Sequence, residues 1–292
     1  MRRSLLFLPG NNPNMLANGD ILGADAVILD LEDAVSPDEK DAARILVRNT
    51  LRYLDYSRVE VVIRINSVDE NEFWKQDLDE VIPLKPSLIM PTKVRDAAYV
   101  QAVSAYMDEV EERHGISRGT VRLVPLIETA IGLENAYAIA TADSRVTSLF
   151  LGAEDLTADL RCARTKEGSE IFSARSRMVS AARAAGIDVY DTPFTDVNDD
   201  EGLIEDARLA KSLGFSGKAA ISPRHVGGIN RVFSPTRQEI DYAYEVLAAI
   251  EEAKAQGKGA ISLYGKMIDA PIVARARQVL DMEKAMQGGG VK

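Results

Sequence analysis

Polar side chains recur directly after short apolar runs in this sequence, and their types suit chemistry on an anionic substrate. Asp30-Leu31-Glu32-Asp33, Glu128 and Glu154-Asp155 supply carboxylates, Arg64 with Asn66 and Lys93 supply cationic and amide groups, and Asp191-Thr192 completes the series. Carboxylates that converge repel one another unless a cation neutralises them, so a hard divalent ion, magnesium first, is the economical explanation. Such an ion takes one or two protein carboxylates and leaves its other octahedral positions to water and substrate. Glu128 and Asp155 are the expected metal ligands, with helix capping as the structural alternative for Asp33 and Asp155. Arg64 stands inside Val61-Val62-Ile63-Arg64-Ile65-Asn66, where an inward charge is costly unless it meets an acid or a substrate carboxylate. Its planar fork suits either a carboxylate of the substrate or a salt bridge to Asp30, Glu32 and Asp33. Pro9, Gly10, Asn11 and Asn12 offer small side chains and backbone N–H groups for close approach to an anion.

Other chemistries are poorly served. The two histidines fall in a polar helix end (His114) and in an expected loop late in the chain (His225), without a Ser or Cys partner in a recognisable motif. This argues against a hydrolytic triad, and so few His and Cys argue against zinc. A Schiff-base mechanism needs a lysine in the mouth of the site. Lys218 opens a strand, at the wrong end, and Lys93 reads as a solvated or anion-binding lysine.

The elements that must position these groups are legible as eight short runs rich in Val, Ile, Leu and Phe, at 4–8, 26–31, 59–65, 87–90, 121–127, 146–151, 187–190 and 218–221. Each is close to fully apolar, as expected of parallel strands buried on both faces. Amphipathic segments lie between them: Ser36 and Pro37 open a helix over 38–54, and Gly186 closes one over 173–185. Eight βα units in about 230 residues predict an α/β fold, a TIM (β/α)8 barrel over residues 1–232, whose active site sits at the C-terminal ends of the strands. No Gly-x-Gly-x-x-Gly follows any strand, which weighs against an open dinucleotide-binding sheet. A C-terminal helical extension over 233–292 follows, with a long helix over 236–255, a glycine-broken segment over 257–265, a last helix after Pro271 and a disordered Gly288-Gly289-Gly290 tail. Ile261, Leu263, Met267 and Ile268 make the extension too apolar to float in solvent, so it is expected to pack on its own barrel or on a neighbouring subunit.

The chain has 292 residues, 46% hydrophobic and 27% charged, which excludes disordered, collagen-like and disulfide-miniprotein classes. With 35 Lys plus Arg against 45 Asp plus Glu, the net charge of −10 argues against nucleic acid or an anionic membrane as partner. An anionic ligand therefore needs a local basic pocket. The one cysteine, Cys162, cannot form an intrachain disulfide, and no apolar run approaches the roughly 20 residues of a membrane span. A cytoplasmic protein is expected.

Several separated motifs, in order over nearly the whole chain, are similar to those of the HpcH/HpaI aldolase/citrate lyase family, the citrate lyase beta subunits among them. They are Arg3-Ser4-Leu5-Leu6-Phe7-Leu8-Pro9-Gly10, Asp30-Leu31-Glu32-Asp33-Ala34-Val35, Arg64-Ile65-Asn66, Ile127-Glu128-Thr129, Leu151-Gly152-Ala153-Glu154-Asp155, Gly214-Phe215-Ser216-Gly217-Lys218 and Gly265-Lys266-Met267-Ile268-Asp269-Ala270-Pro271. The resemblance implies a Mg2+-dependent lyase that cleaves a carbon–carbon bond in an acyl thioester, a citryl thioester giving oxaloacetate and an acetyl thioester. It implies metal ligands at Glu128 and Asp155, and catalytic roles for Arg64 and for Asp269 as proton donor delivered to a neighbouring subunit. Arg64, Gly10, Glu128, Glu32 and Asp33 are the expected substrate contacts. It further implies a homo-oligomer, trimer or hexamer, and, for the complex-borne enzyme, an acyl carrier protein and a transferase subunit as partners. Ile221-Ser222-Pro223 departs from the Ile-His-Pro of many relatives and favours that complex-borne form. The alternatives are a stand-alone citramalyl-CoA or malyl-CoA lyase, and a non-catalytic oxoacid-binding or scaffold protein.

Overall fold

Alternation along each apolar run decides which side chains fill the interior. Leu5 and Phe7, Ala26 and Ile28, Leu88 and Met90, and Val124 and Leu126 all belong to one packed cluster, and in each pair the positions differ by two. The computed structural model describes residues 1–70, 72–255 and 261–288. Their strands are β1 (Ser4–Pro9), β2 (Ala26–Asp30), β3 (Glu60–Arg64), β4 (Leu88–Met90), β5 (Arg122–Leu123), β6 (Leu126–Ile127), β7 (Ser148–Leu151), β8 (Asp188–Asp191) and β9 (Gly217–Ala220), with a separate hairpin of β10 (Ile261–Leu263) and β11 (Lys266–Ile268). The α-helices are α1 (Pro13–Ala17), α2 (Lys40–Tyr53), α3 (Phe73–Val81), α4 (Ala97–Arg113), α5 (Ala130–Glu134), α6 (Ala136–Ala140), α7 (Ala153–Asp159), α8 (Phe172–Ala184), α9 (Asp200–Leu213), α10 (Pro223–Phe233), α11 (Arg237–Ala255) and α12 (Ala270–Gly288).

The first nine strands form one sheet in the order β5-β4-β3-β2-β1-β9-β8-β7-β6, with every pair parallel. β5 and β6 are two halves of a single barrel strand. Pro125 has no N–H for the ladder, so the run expected over 121–127 divides around it. The sheet closes there: Leu123 pairs in parallel with Val146, its N–H donating to the Arg145 carbonyl and its carbonyl accepting from Thr147. An eight-stranded (β/α)8 barrel results, as the apolar runs predict. Ser36 precedes a 3-10 turn over Pro37–Glu39 before α2 begins, and Gly186, at φ 71°, ends the turn after α8.

Chain contacts divide the protein into a unit of residues 2–231 and a unit of residues 232–292 with Met1. In the C-terminal unit the β10–β11 hairpin stands between the two long helices, its first strand and turn in the segment that the sequence marks as glycine-broken. Its turn, Tyr264-Gly265, has φ of 52° and 75°, the left-handed pair that a two-residue hairpin needs and that glycine adopts at no steric cost. Ile268, Ala243, Val246, Ala276 and Leu280 form this unit's own buried core. Residues 257–260 of the glycine-broken segment, and Gly289 and Gly290 of the tail, lie outside the described residues. Among the described residues no helix is long and apolar enough to cross a membrane.

One buried ionic group ties strands to helices behind the barrel wall. Arg175 of α8 donates to both oxygens of Asp191 at 2.9 Å and to Asp206 of α9 at 2.7 Å, while Lys218 Nζ meets Asp191 at 2.6 Å and Asp206 at 2.5 Å. Lys218 thus lies on β9 with its ammonium shared between two carboxylates and the Thr192 carbonyl. Removing one member leaves the others buried and unbalanced, so Arg175→Met is expected to cost about 3–5 kcal/mol in urea unfolding.

Candidate active site

The same alternation that fills the barrel puts a polar layer above it. Two residues beyond Ile28, Val62, Leu126 and Tyr190 stand Asp30, Arg64, Glu128 and Thr192, and all four line a cavity of about 540 Å3. Phe7, Leu126 and Phe150 contribute apolar walls; Asp33, Glu154 and Asp155 contribute carboxylates. The cavity therefore opens at the C-terminal ends of the strands, where a barrel of this kind carries its chemistry.

Asp30 and Arg64 are register partners on adjacent strands, and their side chains meet. Arg64 Nε donates to Asp30 Oδ1 at 2.7 Å and Nη2 to Oδ2 at 2.5 Å, a bidentate pair that fixes the guanidinium plane. Phe7 lies beneath that plane, 5.1 Å from the guanidinium carbon to the ring centroid. The remaining nitrogen, Nη1, has only longer contacts, 3.2 Å to Glu32 and 3.4 Å to Asp33. The salt-bridge reading of Arg64 is what the structure contains, with one edge of the fork left toward the cavity.

Glu32 is buried between two cations, Arg64 Nη1 and Lys93 Nζ, each at 3.2 Å. Burial, only partly offset by Arg64, pushes its pKa up to about 7. It sits behind the wall, and Asp33, half exposed, is the member of the pair that reaches the cavity. Lys40 fixes this turn by donating to the carbonyls of Leu31 and Glu32 at 2.9 and 2.7 Å.

Gly10 differs from the sequence expectation of a free anion donor. Its N–H donates to the Asp30 carbonyl at 2.8 Å, and a Cβ there would lie 2.5 Å from that oxygen. The glycine allows β1 and β2 to run together beyond their last pair; it has no N–H left for a ligand. The Asn12 N–H is likewise spent, donating to the Pro9 carbonyl at 3.1 Å, while its Oδ1 caps α1 by accepting from Met15 N–H.

Glu128 is the most perturbed carboxylate of the cavity. Burial, with the charges of Asp155 and Glu32 adding to it, pushes its pKa up to about 8. Its Oε1 accepts the Lys93 backbone N–H at 2.7 Å. Its Oε2 lies against Gly152, where a Cβ would come within 2.7 Å. Asp155 is raised as well, by burial first and then by the charge of Asp33. It sits in the first turn of α7, whose Gly152 N-cap has no side chain; Thr192 Oγ1 supplies the cap by accepting from Ala153 N–H at 3.2 Å. Lys218 in turn holds the Thr192 carbonyl at 2.7 Å.

Two carboxylates whose charge is opposed by burial and by neighbouring carboxylates are resolved either by a proton or by a cation. Among the described residues no group of three or more His, Cys, Asp or Glu forms a complete metal cage. This donor set fits Mg2+, which binds through one or two carboxylates and keeps water or substrate in its other positions. A methyl group at 152 would displace the Glu128 carboxylate, so Gly152→Ala is expected to weaken Mg2+ binding about tenfold in calorimetric titration.

Sequence reasoning counted Asp30 and Thr192 among the polar strand ends but gave Thr192 no role and Asp30 only that of a partner for Arg64, although the two-residue step from Tyr190 and Ile28 marks both as cavity-lining. His225, expected in a loop, is buried within α10. Asp269 belongs to the C-terminal unit, where its Oδ1 accepts from Ile272 N–H at 3.1 Å and opens α12.

The sequence profile of HpcH/HpaI aldolase/citrate lyase matches residues 3–223. The chain belongs to this family. It is a lyase, as are its relatives named citrate lyase subunit beta and citramalyl-CoA lyase. It is 42% identical to citrate lyase subunit beta of Leuconostoc mesenteroides subsp. cremoris, over 98% of this chain and 94% of that one. It is 30% identical to the mitochondrial citramalyl-CoA lyase of Rattus norvegicus, over 98% and 87%. Among solved structures, it is similar to protein CitE from Mycobacterium tuberculosis in complex with magnesium, acetoacetate and coenzyme A. The TM-score there is 0.79 at 30% identity, covering 97% of this chain and 98% of that one.

Proposed function

We propose that this chain is the beta component of a citrate lyase, cleaving a citryl thioester to oxaloacetate and an acetyl thioester with Mg2+. The observation that carries the reading is the convergence of Arg64, Glu128 and Asp155 on one cavity, in a chain so similar to a citrate lyase beta subunit. Glu128 and Asp155 would hold the ion, which supplies Lewis-acid polarisation of the substrate's oxygens when bound. Arg64, locked by Asp30 and Phe7, presents its Nη1 edge to a substrate carboxylate, which replaces the 3.4 Å contact to Asp33. The buried, bidentate anchoring keeps that edge oriented before the substrate arrives. Apolar walls from Phe7 and Phe150 keep water from the reacting carbon. As the carbon–carbon bond breaks, the substrate hydroxyl loses its proton and becomes the keto group of oxaloacetate, and the acetyl fragment leaves as an enolate that gains one proton at carbon, the role assigned to Asp269 from a neighbouring subunit of a trimer or hexamer. Partners on this reading are an acyl carrier protein and a transferase subunit.

The second reading, a stand-alone citramalyl-CoA or malyl-CoA lyase, is supported by the similarity to citramalyl-CoA lyase along nearly the full chain. Cleavage of citryl-CoA, citramalyl-CoA and malyl-CoA by the purified protein, with Mg2+ and then with chelator, separates the two. Oxaloacetate released from citryl-CoA, and lost on chelation, is the expected result. Preferential release of pyruvate or glyoxylate would favour the second reading.

A further inference from the structure

Lys93 is one of few non-glycine residues with positive φ, at 51°, and its strained backbone sits beside the most perturbed carboxylate of the cavity. That conformation costs a lysine free energy, so the surroundings must enforce it. They do so on three sides. Val94 N–H donates to the Leu126 carbonyl at 3.3 Å, and the Val94 carbonyl abuts Gly132 so closely that a Cβ there would stand 2.3 Å away. On the third side, Tyr99 donates its hydroxyl proton to the Thr92 carbonyl at 2.7 Å and accepts the Val68 N–H at 2.8 Å. It therefore clamps the loop after β4 to the loop after β3. The ring is placed by the start of α4, where Asp96 Oδ1 caps the Tyr99 N–H at 2.8 Å. Tyr99 is 3% exposed and does not line the cavity.

We propose that Tyr99 is a positioning residue for the metal site: through Thr92 it holds Lys93 in the left-handed conformation whose N–H captures Glu128 Oε1 and directs Oε2 toward the ion. The inference rests on the reading of Glu128 as a metal ligand. Tyr99 restrains the carbonyl of Thr92, and the planar peptide that this carbonyl shares with the Lys93 N–H aims that N–H the opposite way, onto one oxygen of the Glu128 carboxylate. The left-handed φ of Lys93 lets the chain turn there, so that the next N–H, that of Val94, reaches the Leu126 carbonyl of β6. Glu128 then has one orientation, with Gly152 making room for the other oxygen. The Lys93 ammonium adds to the restraint by pairing with Glu70 at 2.6 Å and Glu32 at 3.2 Å.

The test is a double-mutant cycle read by Mn2+ binding, with free Mn2+ followed by electron paramagnetic resonance in the wild type, Tyr99→Phe, Lys93→Asn and the double variant. Tyr99→Phe is expected to weaken Mn2+ binding about tenfold, the usual cost of losing an outer-shell partner. Asn adopts the left-handed region at lower cost than Lys, so in the Lys93→Asn background the same change should cost less than about threefold. Equal losses in both backgrounds, or none in either, would overturn the inference while leaving the metal site standing. Absence of Mn2+ binding by the wild type would overturn the metal reading and this inference with it. Should Tyr99→Phe not fold, the amide of Lys93 in the metal-free wild type decides: slow hydrogen exchange is expected of an N–H bonded to a buried carboxylate, and exchange at the free-peptide rate would refute the arrangement.

Discussion

Glu128→Gln is expected to reduce cleavage by on the order of 10³-fold and to abolish the rise in melting temperature on adding Mg2+, while the metal-free variant melts above the wild type at alkaline pH. The two effects have one cause. Glu128 is buried, and its pKa stands at about 8 in the fold against an ordinary 4.5. Below pH 4.5 the folded and unfolded chains both carry its proton; between 4.5 and 8 the folded chain holds it and the unfolded chain releases it. The contribution of this group to stability is thus present at low pH and is lost as the pH rises through 8. At about 1.4 kcal/mol per unit, the full loss is on the order of 5 kcal/mol, and a neutral amide of the same shape avoids it. Glutamine keeps the acceptor for the Lys93 N–H but is a poor ligand for a hard cation. Calorimetric scans from pH 6 to 9, with Mg2+ and with chelator, check both halves. A Mg2+-dependent rise that survives in the variant would remove Glu128 from the metal site. In the wild type, Mg2+ binding at pH 7 is expected to release a proton, seen as a binding heat that depends on the buffer.

The barrel was legible because parallel strands covered on both faces must be apolar throughout, and such runs stand out between helical stretches. Only the fifth run misled, and the reason is local: Pro125 cannot donate, so one barrel strand is assigned as two. In the C-terminal unit, strands of three residues each give too little alternation to be seen against flanking helices, although Tyr264-Gly265 carries a hairpin signal. At the site, residue type singled out Glu128, Asp155 and Arg64, which all line the cavity, but not the state of their neighbours. That Gly10 spends its N–H on Asp30, and that Glu32 lies behind the wall while Asp33 faces the cavity, follow from register and burial. A list of strand-end residues contains neither. The Tyr99 clamp was further out of reach, because it joins the loop after β3 to the loop after β4 through a backbone carbonyl, which leaves no mark in residue type.

Asp269→Asn is expected to lower turnover by at least about 10²-fold with Mg2+ affinity unchanged, the loss assigned to a general acid that meets only the reacting carbon. The Asp269-Ala270-Pro271 sequence gives this residue a local task as well. It caps α12, and asparagine keeps that cap because its amide oxygen accepts from Ile272 N–H as the carboxylate does. The substitution thus separates capping from proton transfer: melting temperature and metal binding report the first, turnover the second. Delivery from a neighbouring subunit makes a stronger prediction. On the proposed reading, Asp269→Asn and Glu128→Gln chains are each expected to be nearly inactive alone, one lacking the acid and the other a metal ligand. Co-assembled in equal amounts in a closed ring, they place an intact barrel beside an intact Asp269 at about a quarter of the sites, and activity recovers to about that fraction. If Asp269 instead served its own barrel, no site in the mixture would be complete, and the mixed oligomer would stay as inactive as its parents.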